Sequence, residues 1–139
     1  MKRVAFSVVI TVAVVILVTG CLSIAKTRSL VGAWNLSVIR SESETFSAFM
    51  QISTHEKGKF SGYLRNHIYS ENYGTISGTT SKDNISFVYS SYPSETGVET
   101  IQFTGKFDSV GMNGTATVFI NGSYKSGPHD WTAQRTEEK

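Results

Sequence analysis

Between Gly32 and Arg135 apolar and polar side chains alternate one by one in eight short runs, and few folds accommodate such a pattern. A period of two belongs to the β-strand, whose successive side chains point to opposite faces. The first run, "GAWNLSV", puts Trp34, Leu36 and Val38 on one face. The second aligns Phe46, Ala48, Met50 and Ile52, and the third Phe60, Gly62 and Leu64. The fourth aligns Gly74, Ile76 and Gly78, and the fifth Ile85, Phe87 and Tyr89. The sixth aligns Ile101, Phe103, Gly105 and Phe107, and the seventh Met112, Gly114, Ala116 and Val118. The last, "DWTAQR", aligns Trp131 and Ala133. Turn-forming groups separate the runs: His55 to Gly58, Lys82-Asp83-Asn84, Ser94 to Gly97, Asp108 to Gly111, and Asn121-Gly122. No window in this region reads as a helix longer than a turn or two. The pattern predicts an all-β domain over 30–136, an eight-stranded antiparallel up-and-down barrel, because closure removes the exposed sheet edges.

Four runs place an apolar residue two positions before a glycine: Phe60 and Gly62, Ile76 and Gly78, Phe103 and Gly105, Met112 and Gly114. Glycine weakens a strand, so its repetition on one face implies geometry: bends, bulges or internal room. Room inside the barrel is the expectation for Gly62, Gly78, Gly105 and Gly114, as space for a ligand.

Ahead of the strands stands "MKRVAFSVVITVAVVILVTGC". Lys2 and Arg3 supply a positive start. Val4 to Val18 is an apolar run of about fifteen residues, short of the roughly twenty that span a bilayer. An uncleaved helix from Val4 to Ala25 is the competing reading, but Thr19-Gly20-Cys21 interrupts the run where a processing site belongs. Residues 1–20 read as a signal peptide. Val18-Thr19-Gly20-Cys21 resembles the bacterial lipobox at every position. That resemblance implies a diacylglycerol thioether on Cys21, with the new amine acylated, palmitate being a usual chain. Two or three chains anchor stably where one binds marginally. Residues 21–29 become the lipidated N-terminus and a short tether, reaching roughly 25–30 Å when extended. Residues 137–139 form a C-terminal tail. The implied address is the cell envelope: the outer membrane in a Gram-negative source, with Leu22 rather than Asp after the cysteine, and otherwise the outer face of the plasma membrane.

Processing changes the charge argument. The formal +2 rests on Lys2 and Arg3. Of the 13 basic residues two leave with the signal, so the remainder balances 11 acidic ones. No basic stripe exists, and no nucleic-acid partner is expected. Cys21 is the lone cysteine, which excludes an internal disulfide.

The opening "GAW" and the closing Arg135 resemble the calycin group of small barrels, the lipocalins and avidins. In those a strand-one Trp lies across the barrel floor and an Arg from the last strand covers it, so Trp34 and Arg135 are the matching floor pair. A guanidinium over an indole is worth about 1 kcal/mol. "LVGAW", "GKFSGYL", "ISFVY", "FTGKF" and "DWTAQR" are similar, in order, to the avidin landmarks over most of Leu30 to Arg135. The ligand residues of that family do not carry over. Leu36 stands where the family has Asn, Leu64 where it has Tyr, and Ser91 where it has Trp; "MNGTATV" offers no aromatic match, and only Trp131 keeps its place. Biotin is therefore not the expected ligand.

No catalytic or metal motif emerges. His55, His67 and His129 lie in turns or at strand ends, without HExxH or CxxC spacing. His129 and Asp130 are sequence neighbours and point to opposite faces of a strand. No G-x-S-x-G elbow is present, and Asp108 to Asn113 has its Gly at the wrong offset for a calcium loop. Glu42, Glu44, Glu95 and Glu99 read as residues of turns or exposed faces, so nothing selects a glycosidase pair. Tyr63, Tyr69, Tyr73, Tyr89 and Tyr92 read first as strand formers and barrel lining. The expected function is a non-enzymatic binding module for a small, partly apolar ligand, with Phe87, Tyr89, Phe103 and Trp131 as the inward ligand residues and no cofactor or metal. The alternatives are an interaction lipoprotein with a solid core, such as a hydrolase inhibitor that contacts an envelope protein, and a hydrolase using a pair of carboxylates.

Overall fold

The computed structural model describes residues 29–65 and 72–136. Cys21, the signal segment, the tether before Ser29, His67, Tyr69 and the tail lie outside the described residues. The strands are β1 (Gly32–Ser41), β2 (Glu44–Glu56), β3 (Lys59–Arg65), β4 (Asn72–Ser81), β5 (Asn84–Ser91), β6 (Glu99–Phe107), β7 (Gly111–Ile120) and β8 (Ser123–Arg135). Each pairs antiparallel with its sequence neighbours, and β8 pairs with β1 to close the barrel. The described residues include no helix, and so none long and apolar enough to cross a membrane.

The alternation fixes what is inside. Trp34, Leu36, Val38, Ala48, Met50, Ile52, Phe60, Leu64, Ile76, Ile85, Phe87, Tyr89, Ile101, Phe103, Phe107, Met112, Ala116, Val118, Trp131 and Ala133 are all buried, and Leu30 joins them. Outward positions such as Ser86, Gln102, Thr104 and Thr115 are exposed and polar. A barrel that crosses a bilayer carries its apolar band on the outside; the described wall has the opposite polarity.

Several strands outrun the pattern: β1 continues past Val38 to Ser41, and β8 and β2 extend furthest. β8 begins at Ser123 rather than Asp130 because its pairing with β7 slips at Ala116/Val118 and again at Val118/Phe119. The slip surrounds Gly127-Pro128, and a bulge is where a sheet tolerates proline. It breaks the alternation that would have revealed the strand. β2 runs on through His55 and Glu56, leaving Lys57-Gly58 as the turn.

Up-and-down order sorts the connections into two ends. At one end, here the floor, lie Ser29 to Val31, the β2–β3, β4–β5 and β6–β7 turns, and Arg135. At the other, the mouth, lie the turn after β1, the 92–98 loop and Asn121-Gly122.

The interior glycines do not open space for a ligand, contrary to expectation. A Cβ at Gly62, Gly105 or Gly114 would sit 1.9 Å from a carbonyl oxygen of the neighbouring strand. At Gly78 it would sit 2.3 Å from the Phe87 Cβ and 2.7 Å from the Phe60 ring. The volume left by each missing side chain is taken up by backbone and rings. These glycines let curved strands approach closely.

Candidate functional site

The floor is built from the chain's own beginning. Trp34 is fully buried, and its indole N–H donates to the Leu30 carbonyl at 2.9 Å. Arg135 lies directly opposite Trp34 in the β1–β8 ladder, with its guanidinium carbon 4.3 Å from the indole centroid. The same guanidinium donates to the carbonyls of Ser109 at 3.1 Å, Val31 at 3.0 Å and Ser29 at 2.9 Å. His55 is not a turn residue facing water. Its Nδ1 accepts the Leu30 N–H at 3.1 Å, so Nε2 carries the proton and donates to Thr80 Oγ1 at 3.0 Å. Three side chains from three strands thus hold residues 29–31 across the barrel end.

Above the floor, Phe87, Phe103 and Trp131 meet in one layer. The two phenyl rings stack at 4.4 Å, and the indole stands edge-on to both at 5.4 Å. Its N–H donates to the Thr104 carbonyl at 3.1 Å. Phe60 closes on Phe87 at 5.8 Å. These predicted ligand residues touch one another in the middle of the barrel. Tyr89, the fourth, lies one inward step closer to the mouth and is 3% exposed.

The mouth holds groups that inspection of motifs passed over. β1 and β6 are not neighbours in the sheet, so a contact between them must cross the lumen. Arg40 of β1 and Glu99 of β6 make that crossing, Nη2 to Oε1 at 3.5 Å. Their side chains are 24% and 29% exposed. Glu99 is therefore not on an outer face, as its charge suggested; it continues the inward parity of Ile101 and Phe103. Arg40 continues that of Trp34, Leu36 and Val38. Glu44 approaches Arg40 from the rim at 3.9 Å. The guanidinium rests over the Phe46 ring at 5.3 Å, and Phe46 meets Tyr73 at 6.2 Å. Tyr73 sits where the β3–β4 register shifts between Leu64 and Arg65, a slip that lets it pack against the core out of strict alternation. Tyr92 is half exposed and donates its backbone N–H to the Tyr73 carbonyl at 3.0 Å, while Tyr63 is half buried on β3. Asn121 clasps the 92–98 loop twice: its side-chain Oδ1 accepts the Val98 N–H at 3.0 Å, and its backbone N–H donates to the Val98 carbonyl at 2.9 Å.

Electrostatics at the mouth are read by Tyr89. Burial pushes its phenol up to about 12, and the Glu99 carboxylate adds to the rise against the opposing Arg40 charge. The sign for stability follows. The unfolded phenol ionises near 10 and the folded one near 12, so the stabilisation is complete below pH 10 and is lost as the pH climbs toward 12. We expect Tyr89 to give a late step near pH 12 in a phenolate absorbance titration. Tyr89→Phe removes that late step, and Glu99→Gln shifts it to lower pH. A late step that persists in Tyr89→Phe contradicts this account.

Among the described residues no group of three or more His, Cys, Asp and Glu side chains is placed to hold a metal ion. His129 bonds Ser126 at 2.9 Å within its own strand. Near the floor, a shallow depression of about 450 Å³ is lined by Asp83, Lys106, Asp108, Asn113 and Gln134, with Lys106 bonded to Asn84 at 2.6 Å. No protein-family model matches the chain, and no curated protein and no solved structure is significantly similar to it.

Proposed function

We propose that the protein is a lipid-anchored lipoprotein of the cell envelope whose barrel is a non-enzymatic binding module, taking a small, partly apolar ligand at its mouth. The observation that carries this is the polarity of the barrel's two ends. Ser29 to Val31, the segment leading back to Cys21, closes the floor. The opposite end presents Arg40, Glu99, Phe46 and Tyr73. A membrane anchor at Cys21 then leaves the mouth facing away from the bilayer. Because Phe87, Phe103 and Trp131 fill the middle, the ligand lies above them, against Tyr89.

The filled middle also favours the second reading, an interaction lipoprotein with a solid core whose mouth loops contact an envelope protein. One experiment separates the two. The protein is extracted from its host membrane and weighed by native mass spectrometry, beside Cys21→Ala. The expected result is an acylated mass that Cys21→Ala lacks, together with a releasable small molecule. A mature mass without acyl chains overturns the anchor. A barrel that carries only a stoichiometric protein partner transfers the function to the second reading.

A further inference from the structure

Arg40 is the least satisfied polar side chain described in the molecule. Its Nε is buried and meets no hydrogen-bond partner. Its one hydrogen bond, to Glu99, is 3.5 Å long, and its approach to Glu44 is 3.9 Å. A charge-assisted bond of full strength is about 2.7–2.9 Å. Guanidinium groups present five donors in a flat fork suited to a carboxylate, and removing one from water without partners is costly. An arginine held on Phe46 with its donors largely unspent is therefore set up for an oxyanion brought from outside.

A simple anion does not fit, however. Arg40 is faced by Glu99 and Glu44, so this trio carries a formal charge of −1. A ligand with only a carboxylate meets net repulsion, and one with only an ammonium leaves the Arg40 fork unspent. A zwitterion answers both: its carboxylate takes the Arg40 donors, and its ammonium takes Glu99 and Glu44. Inserted between Arg40 and Glu99, it replaces one long ion pair with two short ones and brings no net charge.

We infer that the mouth binds a small zwitterion with an apolar body, an α-amino acid or a molecule of that chemistry, with Arg40 as carboxylate receptor and Glu99 as ammonium receptor. This rests on the binding-module reading above and names its ligand class.

Four probes with the same phenyl body and different head groups test it: phenylalanine, phenethylamine, 3-phenylpropionate and 3-phenylpropanol. Each is titrated into the full lipidated chain in nanodiscs, following the amide resonances of Arg40 and Glu99, with empty nanodiscs as the control for partitioning. Phenylalanine is expected to bind about tenfold more tightly than any of the other three, the scale of one charge-assisted bond. Arg40→Met is expected to reduce phenylalanine to the level of phenethylamine. Glu99→Gln, combined with Glu44→Gln, is expected to reduce it to the level of 3-phenylpropionate. Equal binding of all four probes, or tightest binding of the anion or the alcohol, overturns the zwitterion assignment and leaves the binding module standing. Absence of binding by all four overturns both. The ranking on the unmodified chain needs no variant to fold.

Discussion

Gly114→Ala is expected to cost about 3–5 kcal/mol of folding stability, while Gly111→Ala, three residues earlier on the same strand, leaves it nearly unchanged. At Gly114 the new Cβ falls 1.9 Å from the Thr104 carbonyl oxygen and 2.6 Å from the Gly105 Cα, both backbone atoms of β6. No rotamer change relieves such an overlap; β6 and β7 have to separate. The oxygen that is struck is also the acceptor of the Trp131 indole N–H. Overpacking and loss of a buried donor's partner therefore arrive together. Each is worth about 1–3 kcal/mol, against a typical stability of 5–15. At Gly111 the nearest atom to a new Cβ is 3.8 Å away, an ordinary contact. Urea unfolding followed by tryptophan emission checks the pair. Equal midpoints for the two variants would show that β7 lies farther from β6 at Gly114 than described.

Trp34→Ala carries the second large effect, about 3–5 kcal/mol. It removes the largest side chain of the floor, the donor to Leu30 and the plate on which Arg135 lies. Arg135→Met is expected to cost less, about 2 kcal/mol, because its three carbonyl bonds are exposed to competing water and the cation–π contact contributes about 1. Hydrogen exchange at the Leu30 amide reports the floor directly, since that N–H is held by His55. It is expected to exchange far faster in Trp34→Ala than in Arg135→Met. The reverse order would mean that the guanidinium, not the indole, holds the segment.

The wall of the barrel was legible because burial on one face imposes period two, and any slip of one residue would invert the whole strand. That is why Trp34, Met50, Phe87 and Phe103 were assigned inward from the pattern alone. Legibility ended where a different force outweighed it. The approach to Pro128 broke the period and concealed the first half of β8. Glycines on the inner face look identical in sequence whether a cavity or a neighbouring strand takes their volume; only the carbonyl opposite Gly114 decides it. Glu99 obeys the parity of β6, yet its charge argued for an outer face, and Arg40 stands beyond the first run as the pattern defines it. A pair that crosses the lumen reconciles parity with charge, and it depends on two strands nearly sixty residues apart in sequence. His55 was obscured similarly: its partners Leu30 and Thr80 each stand 25 residues away.

The closure of β1 onto β8 orders events in time. Seven of the eight seams join consecutive strands and can form as hairpins while the chain emerges. The eighth joins the first strand to the last, and the Arg135 contacts to Ser29 and Val31 span 106 and 104 residues. Until β8 is present, β1 is a bare edge with unpaired N–H and C=O groups, open to pairing with another chain. The floor that Arg135 completes must therefore be among the last parts to assemble. A chain cut short before Ser123 leaves an open sheet with two reactive edges rather than a smaller barrel, and its fate is set by how quickly it meets a second copy of itself.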